Sequence, residues 1–374
     1  MEIKRNKFEV GDPAPWFRIA SSKNPAFNFS MLAGRNVALC FVESLALPES
    51  QAIVHEFSMR RRVFDNTNAS AVIVSVDPED PGLQRHIRYA KHVVFLWDLD
   101  RQMSEKFGII DSTSNAYRRQ TIVLDRRLRM LASLPIQSER HATIVAQFMR
   151  KLPLPTSVRG HAPVLIIPRV FEPDLCRTLI QYYRDSGSQY SGVMQQIGDQ
   201  TVPVIDPMYK SRRDCKIMDE RLCAILKDRL YRRVVPEVER SFQFRCTHLE
   251  RYIVACYDAA EGGKFNAHRD NTTTGTAHRK FAVTINLNAE EYEGGDLVFR
   301  EFGTKAYRAP TGGAVVFSCS LMHEALPILK GQRFAFLPFL FDRASAEQQD
   351  ESRENVSQVA ERRSVDDRPD RLPD

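Results

Sequence analysis

The sequence lacks three features that would each have indicated a particular class of protein. Its seven cysteines are an odd number and include no CxxC pair, which argues against a disulfide framework and against a zinc ribbon. No apolar run is long enough to span a bilayer, and the first residues do not form an apolar secretory segment. We therefore expect reduced, mostly buried thiols, a cytoplasmic location and no membrane partner.

Charge is also weakly informative, since the formal net charge is only +6 and no basic cluster is interleaved with aromatic residues. This pattern predicts no nucleic-acid partner and suits an anionic cosubstrate or an acidic partner. The segment from Arg343 to Asp374 carries six Arg and nine Asp or Glu, and it contains few aliphatic or aromatic residues. We predict that residues 344–374 form a charged, disordered tail, within which 356–365 could form a short helix.

At 374 residues the chain is longer than one hydrophobic core usually serves, which predicts two domains. Residues 36–151 alternate short apolar strands with amphipathic stretches and end in two strands joined through Asp125-Arg-Arg. This pattern predicts an α/β domain closed by an antiparallel hairpin, which we place at residues 1–152. Residues 153–163 contain three prolines and a glycine with little periodicity and are predicted to be a linker.

The pattern changes in the second half of the chain. Glu172–Arg184 and Asp219–Val234 have apolar residues at helical spacing, and short β runs bounded by glycine-bearing turns follow Phe242. Such a series predicts a β-barrel or jelly roll with flanking helices, over residues 164–343.

Two histidines and one aspartate in this second domain have the spacing of a metal site. His268 and Asp270 are two residues apart, so on an extended segment they point to the same side. His323 follows Asp270 by 53 residues, which is enough for the chain to return across a barrel. Two imidazoles and one carboxylate on one face of an ion leave the other positions open for a cosubstrate and O2. That arrangement favours non-haem Fe(II) over zinc.

Arg333 follows His323 by ten residues and opens an apolar strand. Its guanidinium could hold a distal carboxylate in two-point contact, which favours 2-oxoglutarate as the cosubstrate. Each feature alone is weak, because a single HxD arises easily by chance in a chain with nine histidines. In the alternative interpretation these residues form no binding site: His268 is a surface residue, His323 caps the end of a strand and Arg333 is a solvated charge.

The segment YDAAEGGKFNAHRD, from Tyr257 to Asp270, resembles the tyrosine, glycine turn, aromatic residue and HxD of the prolyl 4-hydroxylase-like 2-oxoglutarate oxygenases. The later segments that resemble strands of that family, in order, are EGGDLVF from Glu293, GAVVF from Gly313, and His323 through Arg333. The resemblance covers about residues 164–341 and implies a double-stranded β-helix (jelly roll).

The resemblance also implies roles for particular residues. His268, Asp270 and His323 would ligate Fe(2+), and Arg333 would bind the distal carboxylate of 2-oxoglutarate. The resemblance further implies a hydrogen bond to the cosubstrate from Tyr257, although this residue could instead be a tyrosine of the barrel core. Asn286 would supply a second polar contact. The implied reaction is hydroxylation of an unactivated C–H bond by O2, with release of succinate and CO2 and a dependence on ascorbate.

The first domain carries a second resemblance. GDPAPWF from Gly11 and RQTIVLD from Arg119 resemble the opening and a late strand of peroxiredoxins, which have a thioredoxin fold. Peroxide reduction needs a low-pKa cysteine after the first core strand, where this sequence has Ser50, and Leu47 replaces the threonine that usually precedes it. Cys40 is the domain's one cysteine and is interpreted as a small buried hydrophobe.

The first domain is therefore predicted to be redox-inactive. Three roles remain open for it, namely presenting substrate, mediating a homodimer or docking another protein.

The leading interpretation is a hydroxylase acting on a protein or peptide, at a residue such as proline. The alternatives are the same chemistry on a small molecule, such as a free amino acid or a natural-product intermediate, a non-catalytic iron or 2-oxoglutarate sensor, and a thiol peroxidase acting through Cys40. Selectivity is expected in Asn271–His278 and in Gly187–Asp214, where an open groove favours a peptide and a capped pocket favours a small molecule. His278 is interpreted as an exposed loop residue.

Overall fold

The structure is a computed structural model, and it describes residues 8–83, 89–110, 116–153, 160–198, 200–352 and 370–371. The chain divides into two compact units. Unit 1 is Met1–His161 with Arg300–Thr304, and unit 2 is Ala162–Phe299 with Lys305–Asp374. The division after residue 161 falls inside the segment expected to be a linker, of which residues 154–159 lie outside the described ranges. No helix among the described residues is long and apolar enough to cross a bilayer.

Unit 1 is built on a seven-stranded mixed sheet. Its strands are β1 (Arg18–Ser21), β2 (Phe27–Asn28), β3 (Asn36–Glu43), β4 (Ala69–Ser75), β5 (Val94–Trp97), β6 (Gln120–Leu124) and β7 (Met130–Pro135). Its helices are α1 (Pro48–Ser58), α2 (Gln102–Lys106) and α3 (His141–Arg150), with 3-10 turns at Phe29–Leu32 and Asp80–Gly82. The strand order is β2-β1-β5-β4-β3-β6-β7, in which β3, β4 and β5 are parallel. The antiparallel β6–β7 hairpin closes the unit, so the prediction of an α/β domain ending in a hairpin is confirmed.

The core of unit 1 forms where apolar strands meet amphipathic helices. The interior of β3 is buried along its whole length, as expected for a central strand covered on both faces. Helix α1 begins at Pro48, which suits the first helical turn, and buries Ile53, Val54 and Phe57. It ends at Ser58, whereas the amphipathic stretch in the sequence runs from Gln51 to Phe64. A second amphipathic stretch, from Leu83 to Lys91, falls largely outside the described residues.

Unit 2 consists mainly of short strands. Its early strands are β8 (Val164–Ile167), β9 (Gln189–Tyr190), β10 (Val193–Ile197), β11 (Gln200–Val204), β12 (Lys210–Ser211), β13 (Arg213–Lys216), β14 (His248–Glu250), β15 (Ile253–Asp258), β16 (Lys264–His268) and β17 (Phe281–Asn286). The later ones are β18 (Glu293–Gly294), β19 (Leu297–Val298), β20 (Ala306–Tyr307), β21 (Ala314–Ser318), β22 (His323–Ala325), β23 (Ile328–Lys330), β24 (Gln332–Phe336), β25 (Phe339–Phe341) and β26 (Asp370–Arg371). Its helices are α4 (Pro173–Ser186), α5 (Glu220–Arg233), α6 (Val235–Phe242) and α7 (Arg343–Ser352).

The fold of unit 2 is built on two sheets. The minor sheet has the order β12-β16-β22-β19-β20, and the major sheet follows the path β26-β14-β25-β17-β24-β15-β13-β9, with β21 joined to β17 and β8 to β21. Helices α4 and α5 pack against the major sheet through residues such as Leu179, Leu226 and Leu230. Leu222, Leu226 and Leu230 are spaced four apart on α5, and the Asp219 side chain caps its first turn. The predicted jelly roll with flanking helices is confirmed.

The segment after the jelly roll differs from the expectation of a disordered tail from residue 344. Arg343–Ser352 forms helix α7, because Ser345 and Ala346 are buried against the jelly roll and the backbone N–H of Ser345 donates to Asp342 Oδ1 at 3.0 Å. Composition alone could not reveal this packing. The possible helix over residues 356–365 lies outside the described residues.

Candidate metal and cosubstrate site

The predicted metal-binding side chains converge at the minor sheet. His268 ends β16 and lies opposite His323, the first residue of the neighbouring strand β22. Asp270 lies just past the end of β16, where its backbone N–H still donates to Cys319 O at 3.0 Å. One nitrogen or carboxylate oxygen from each of the three residues lies within 4.8 Å of the others. The Nε2 atoms of His268 and His323 are 3.6 and 3.4 Å from Asp270 Oδ1 and Oδ2, respectively.

Backbone carbonyls hold both imidazole rings in one orientation. The Nδ1–H of His268 donates to Asn266 O at 2.8 Å, and the Nδ1–H of His323 donates to Leu321 O at 3.0 Å. With Nδ1 engaged, Nε2 of each ring is left facing Asp270. This is the outer-shell arrangement that protein metal sites use to fix the tautomer of a histidine ligand.

The site is buried, and its charges are strongly coupled. Burial lowers the pKa of His323 to about 4, with a further contribution from the neighbouring His268. Burial alone would raise the pKa of Asp270, but the two imidazoles outweigh it and hold that pKa below its usual range. A neutral imidazole beside an ionised carboxylate is the protonation state in which these groups donate electron pairs to a metal.

The predicted cosubstrate residues lie together on the major sheet. Arg333 on β24 pairs with Tyr257 on β15, and its guanidinium carbon lies 5.2 Å from the centre of the tyrosine ring. Arg333 Nη2 donates to Asn286 Oδ1 at 3.4 Å, while Asn286 Nδ2 donates to Ala309 O at 2.7 Å. Arg333 Nε and Nη1 are buried and meet no hydrogen-bond acceptor in the described part of the chain.

Sequence reasoning missed two buried cations beside these groups, and the half-buried aspartate that pairs with one of them. Lys210 and Arg212 are 6% and 4% exposed, and Arg212 Nη2 donates to Asp214 Oδ2 at 2.7 Å. Arg212 lies between β12 of the minor sheet and β13 of the major sheet, so the chain crosses from one sheet to the other at this residue. The only signal was the basic run 210–213, which by itself is typical of a solvated loop.

The interpretation of His278 as an exposed loop residue is wrong. His278 is buried, and its Nε2–H donates to Glu250 Oε2 at 3.0 Å. Glu250 Oε1 accepts from Arg279 Nε at 2.6 Å, and Gln349 Nε2 of α7 donates to Glu250 Oε2 at 2.9 Å. Burial would raise the pKa of Glu250, but Arg279 and His278 lower it to about 2. His278 is buried because the carboxylate of Glu250, which is distant in the sequence, binds its imidazole.

The two segments expected to set selectivity contact each other. The hairpin formed by β10 and β11 reaches the loop around residues 273–276. Gln196 Oε1 accepts from the backbone N–H of Thr274 at 3.0 Å, and Thr201 Oγ1 accepts from that of Gly275 at 3.0 Å. Thr201 also donates to Gln196 at 3.1 Å, so the contact is a small network in which each member has a partner.

In unit 1 a serine stands at the position expected for a peroxidatic thiol. Ser50 is fully buried in α1, and its Oγ donates to Val42 O at 3.2 Å. Arg119 Nη1 pairs with Glu49 Oε2 at 2.8 Å, while its Nε and Nη2 are buried and meet no acceptor among the described residues. Cys40 is fully buried in β3, as predicted, and burial raises the pKa of its thiol to about 12. The seven cysteines all lie in described residues, and none forms a disulfide.

Comparison with protein families separates the two units in the same way. Residues 252–341 match the 2OG-Fe(II) oxygenase superfamily, and residues 10–131 match the AhpC/TSA family. The chain therefore contains an oxygenase-type region and a peroxiredoxin-type region, which confirms the two resemblances. The first match includes all six residues predicted for the metal and cosubstrate site.

Individual proteins with similarity cover only parts of the chain. A PKHD-type hydroxylase of Synechococcus sp. (strain JA-2-3B'a(2-13)) is 27% identical over 112 residues, 27% of this chain and 49% of that protein. This chain thus spans about half of that curated relative. Among solved structures, a Pseudomonas putida prolyl-4-hydroxylase is similar at 16% identity and TM-score 0.39, covering 48% of this chain and 94% of that one. The peroxidoxin BcpB from Mycobacterium tuberculosis is similar at 19% identity and TM-score 0.35, covering 39% of this chain and 99% of that one.

Proposed function

We propose that unit 2 is a 2-oxoglutarate- and Fe(II)-dependent dioxygenase that hydroxylates an unactivated C–H bond, with release of succinate and CO2. The preferred substrate in this proposal is a peptidyl residue such as proline. The observation that carries the proposal is the convergence of His268, Asp270 and His323 within 4.8 Å of one another. Two imidazoles and one carboxylate form the donor set associated with non-haem Fe(II) oxygenases.

The donor set fits a ferrous ion, because Nδ1 of each imidazole is engaged by the backbone while each Nε2 faces the carboxylate. In this proposal His268, Asp270 and His323 hold the ion, which when bound supplies the oxygen chemistry that no protein side chain can perform. Ascorbate is proposed as the reductant that sustains turnover. The remaining residues of the site are proposed to bind and orient the cosubstrate and to exclude water.

Arg333 is proposed to bind the distal carboxylate of 2-oxoglutarate. Its Nε and Nη1 donors are buried without an acceptor among the described residues, and a buried unpaired donor is costly unless a ligand satisfies it. Asn286 holds the third nitrogen, Nη2, and so fixes the orientation of the guanidinium. Tyr257 lies against the same guanidinium and is proposed to donate its hydroxyl hydrogen to the cosubstrate.

Aromatic rings around the site are proposed to keep water out. Phe265 stacks on His268 with ring centres 3.5 Å apart, and Phe317 packs edge-on against His323 at 4.5 Å. A dry site strengthens each electrostatic contact and protects reactive species from side reactions.

A second candidate is the same chemistry on a small molecule. It is favoured by the hydrogen-bonded contact between the β10–β11 hairpin and Thr274 and Gly275, because a closed contact of this kind covers a site more than it opens a groove.

The test is incubation of the full chain with Fe(II), ascorbate and labelled 2-oxoglutarate, with fractions of a cell lysate as the substrate source. We expect succinate to form, and mass spectrometry to locate a product heavier by one oxygen atom. His268→Ala should abolish succinate formation and Arg333→Ala should weaken it strongly, whereas exposed His55→Ala should leave it unchanged. A polypeptide product supports the first candidate and a low-mass product supports the second. Catalytic turnover in His268→Ala would refute the proposal.

A further inference from the structure

Two buried cations lie beside the proposed metal site and have no role in the function proposed so far. Lys210 pairs with Phe265 across β12 and β16, and its Nζ is 4.8 Å from the centre of the phenyl ring. That ring stacks on His268. The guanidinium of Arg212 is 5.9 Å from the same ring and 5.7 Å from the ring of Tyr257 on the major sheet. Both cations therefore lie in the interior between the two sheets. Each lies near the ring of Phe265, which stacks on His268, and Arg212 also lies near the ring of Tyr257.

The two positive groups are held close together by one serine. Lys210 Nζ donates to Ser191 Oγ at 2.7 Å, and Arg212 Nη2 donates to the same oxygen at 3.0 Å. The two nitrogens are consequently no more than about 6 Å apart. A carboxylate has two oxygens that each accept a charge-assisted bond at about 2.8 Å, so a single carboxylate can span this distance.

Charge counting indicates that the site can accept a further anion when Lys210 is charged. In the proposed complex, Asp270 and the keto-acid carboxylate of 2-oxoglutarate balance the ferrous ion, and the distal carboxylate balances Arg333. Asp214 balances only one of the pair Lys210 and Arg212. One buried positive charge is left over, and an uncompensated buried charge is strongly unfavourable.

The protonation of these groups is consistent with that count. Burial lowers the pKa of Lys210 well below its ordinary value, and Arg212 lowers it further. Burial would also lower the pKa of Arg212, but Asp214 outweighs it and raises that pKa overall. Without a second anion the neutral amine of Lys210 is thus favoured, and a bound carboxylate would favour the charged ammonium.

We propose that Lys210 and Arg212 bind a carboxylate of the molecule that is hydroxylated, so that the enzyme is selective for acidic substrates. The inference rests on the proposed function and specifies its substrate class. The carboxylate belongs either to a free acid or to an acidic side chain or chain end of a peptide, and both sources present the same group to the two cations.

The experiment measures binding without turnover. The full chain is loaded with Mn(II) and saturated with 2-oxoglutarate under anaerobic conditions, then titrated by calorimetry with two probe sets. One set is N-acetyl amino acids with a free carboxylate, and the other is capped peptides with an internal Asp or Glu. Each probe is paired with its amide. We expect at least one acid to bind ten-fold or more tightly than its amide, and the set that contains it identifies the source.

Variants assign the preference to the two cations. Lys210→Met and Arg212→Gln should reduce the preference for acid over amide to less than three-fold while 2-oxoglutarate affinity stays within two-fold. Arg213→Gln, which alters the neighbouring and more exposed arginine, should retain the preference. Because Arg212→Gln leaves Asp214 unpaired, the double variant Arg212→Gln with Asp214→Asn repeats the test with a neutral pair.

Two results would overturn the inference. One is that no acid in either set binds more tightly than its amide. The other is that the variants keep the preference but lose 2-oxoglutarate affinity ten-fold, which would assign the two cations to the cosubstrate. Failure of the proposed function is distinguishable from both, because the unmodified chain would then show no Mn(II)-dependent binding of 2-oxoglutarate.

Discussion

The two units differ in the residues that they place where each family resemblance predicts chemistry. Unit 1 matches the AhpC/TSA family over residues 10–131, but Ser50 stands at the expected thiol position and donates to a backbone carbonyl. Unit 2 buries carboxylates, imidazoles and guanidinium groups, and leaves donors of Arg333 without acceptors among the described residues. Both units leave buried arginine donors unpaired, on Arg119 and on Arg333, and such groups call for an explanation. Within the described residues, however, only unit 2 brings metal-binding side chains together. The following predictions test whether this contrast holds.

The largest effect is expected from Asp270→Ala in unit 2. The change removes the one carboxylate of the donor set, so metal affinity should fall by more than the roughly 100-fold that loss of an outer-shell partner costs. Titration with Co(II), followed by its visible absorption, measures this directly. Asp185→Ala removes an exposed carboxylate and serves as the control. Equal Co(II) affinity in the two variants would place the metal elsewhere.

Next in size is the loss of the buried Glu250 cluster. Glu250→Ala leaves His278 and Arg279 without their carboxylate, and breaking a buried ion pair by removing one partner costs about 3–5 kcal/mol. Denaturant unfolding of the full chain should show this loss in the transition of unit 2. Glu237→Ala, which removes a more exposed partner of Arg240, should change stability by less than about 0.5 kcal/mol. Similar losses in both variants would contradict the interpretation.

The same carboxylate predicts a pH dependence. Because the folded-state pKa of Glu250 is lowered from 4.5 to about 2, its contribution to stability is fully present above about pH 4.5 and is lost as the pH falls through 2. A shift of that size corresponds to about 3 kcal/mol. Glu250→Gln should flatten the fall in stability over this pH range relative to the unmodified chain. A parallel fall in both proteins would show that other groups dominate.

A smaller effect is expected where the β10–β11 hairpin meets its partner loop. Thr201→Val keeps the side-chain shape but removes the acceptor for the N–H of Gly275, at a cost of about 1 kcal/mol. Hydrogen exchange should accelerate several-fold at residues 274–276 and little elsewhere. Thr178→Val, at an exposed position on α4, should leave the exchange of that loop unchanged. Unchanged exchange in Thr201→Val would mean that the contact does not order the loop.

The smallest effect is expected from Cys40 in unit 1. A thiol with a pKa near 12 has almost no thiolate at neutral pH, so native protein should not be alkylated at Cys40, while half-buried Cys223 should react first. Peptide mass spectrometry after brief iodoacetamide treatment measures both sites in one sample. Rapid labelling of Cys40, or peroxide consumption lost in Cys40→Ala, would restore the thiol peroxidase interpretation.

Sequence patterns were sufficient where function depends on spacing along strands. The HxD pair and His323 identified side chains that the fold brings to the adjacent strands β16 and β22. Arg333 was identified on β24 of the other sheet, and the apolar runs located both sheets. Patterns failed where burial depends on partners distant in sequence. Arg212 is buried because the chain changes sheets there, and His278 is buried because Glu250 lies across from it. A local window contains neither fact.

The backbone carbonyls of Asn266 and Leu321 have a consequence for how the protein acquires its metal. Because they set the orientation of both rings, binding of an ion at the proposed site would demand little rearrangement of the two imidazoles. Nickel, copper and zinc bind nitrogen and oxygen donors more tightly than iron in the same oxidation state. Material purified in air should therefore carry whichever of these the preparation supplied, and chelation followed by anaerobic reloading should precede any assay.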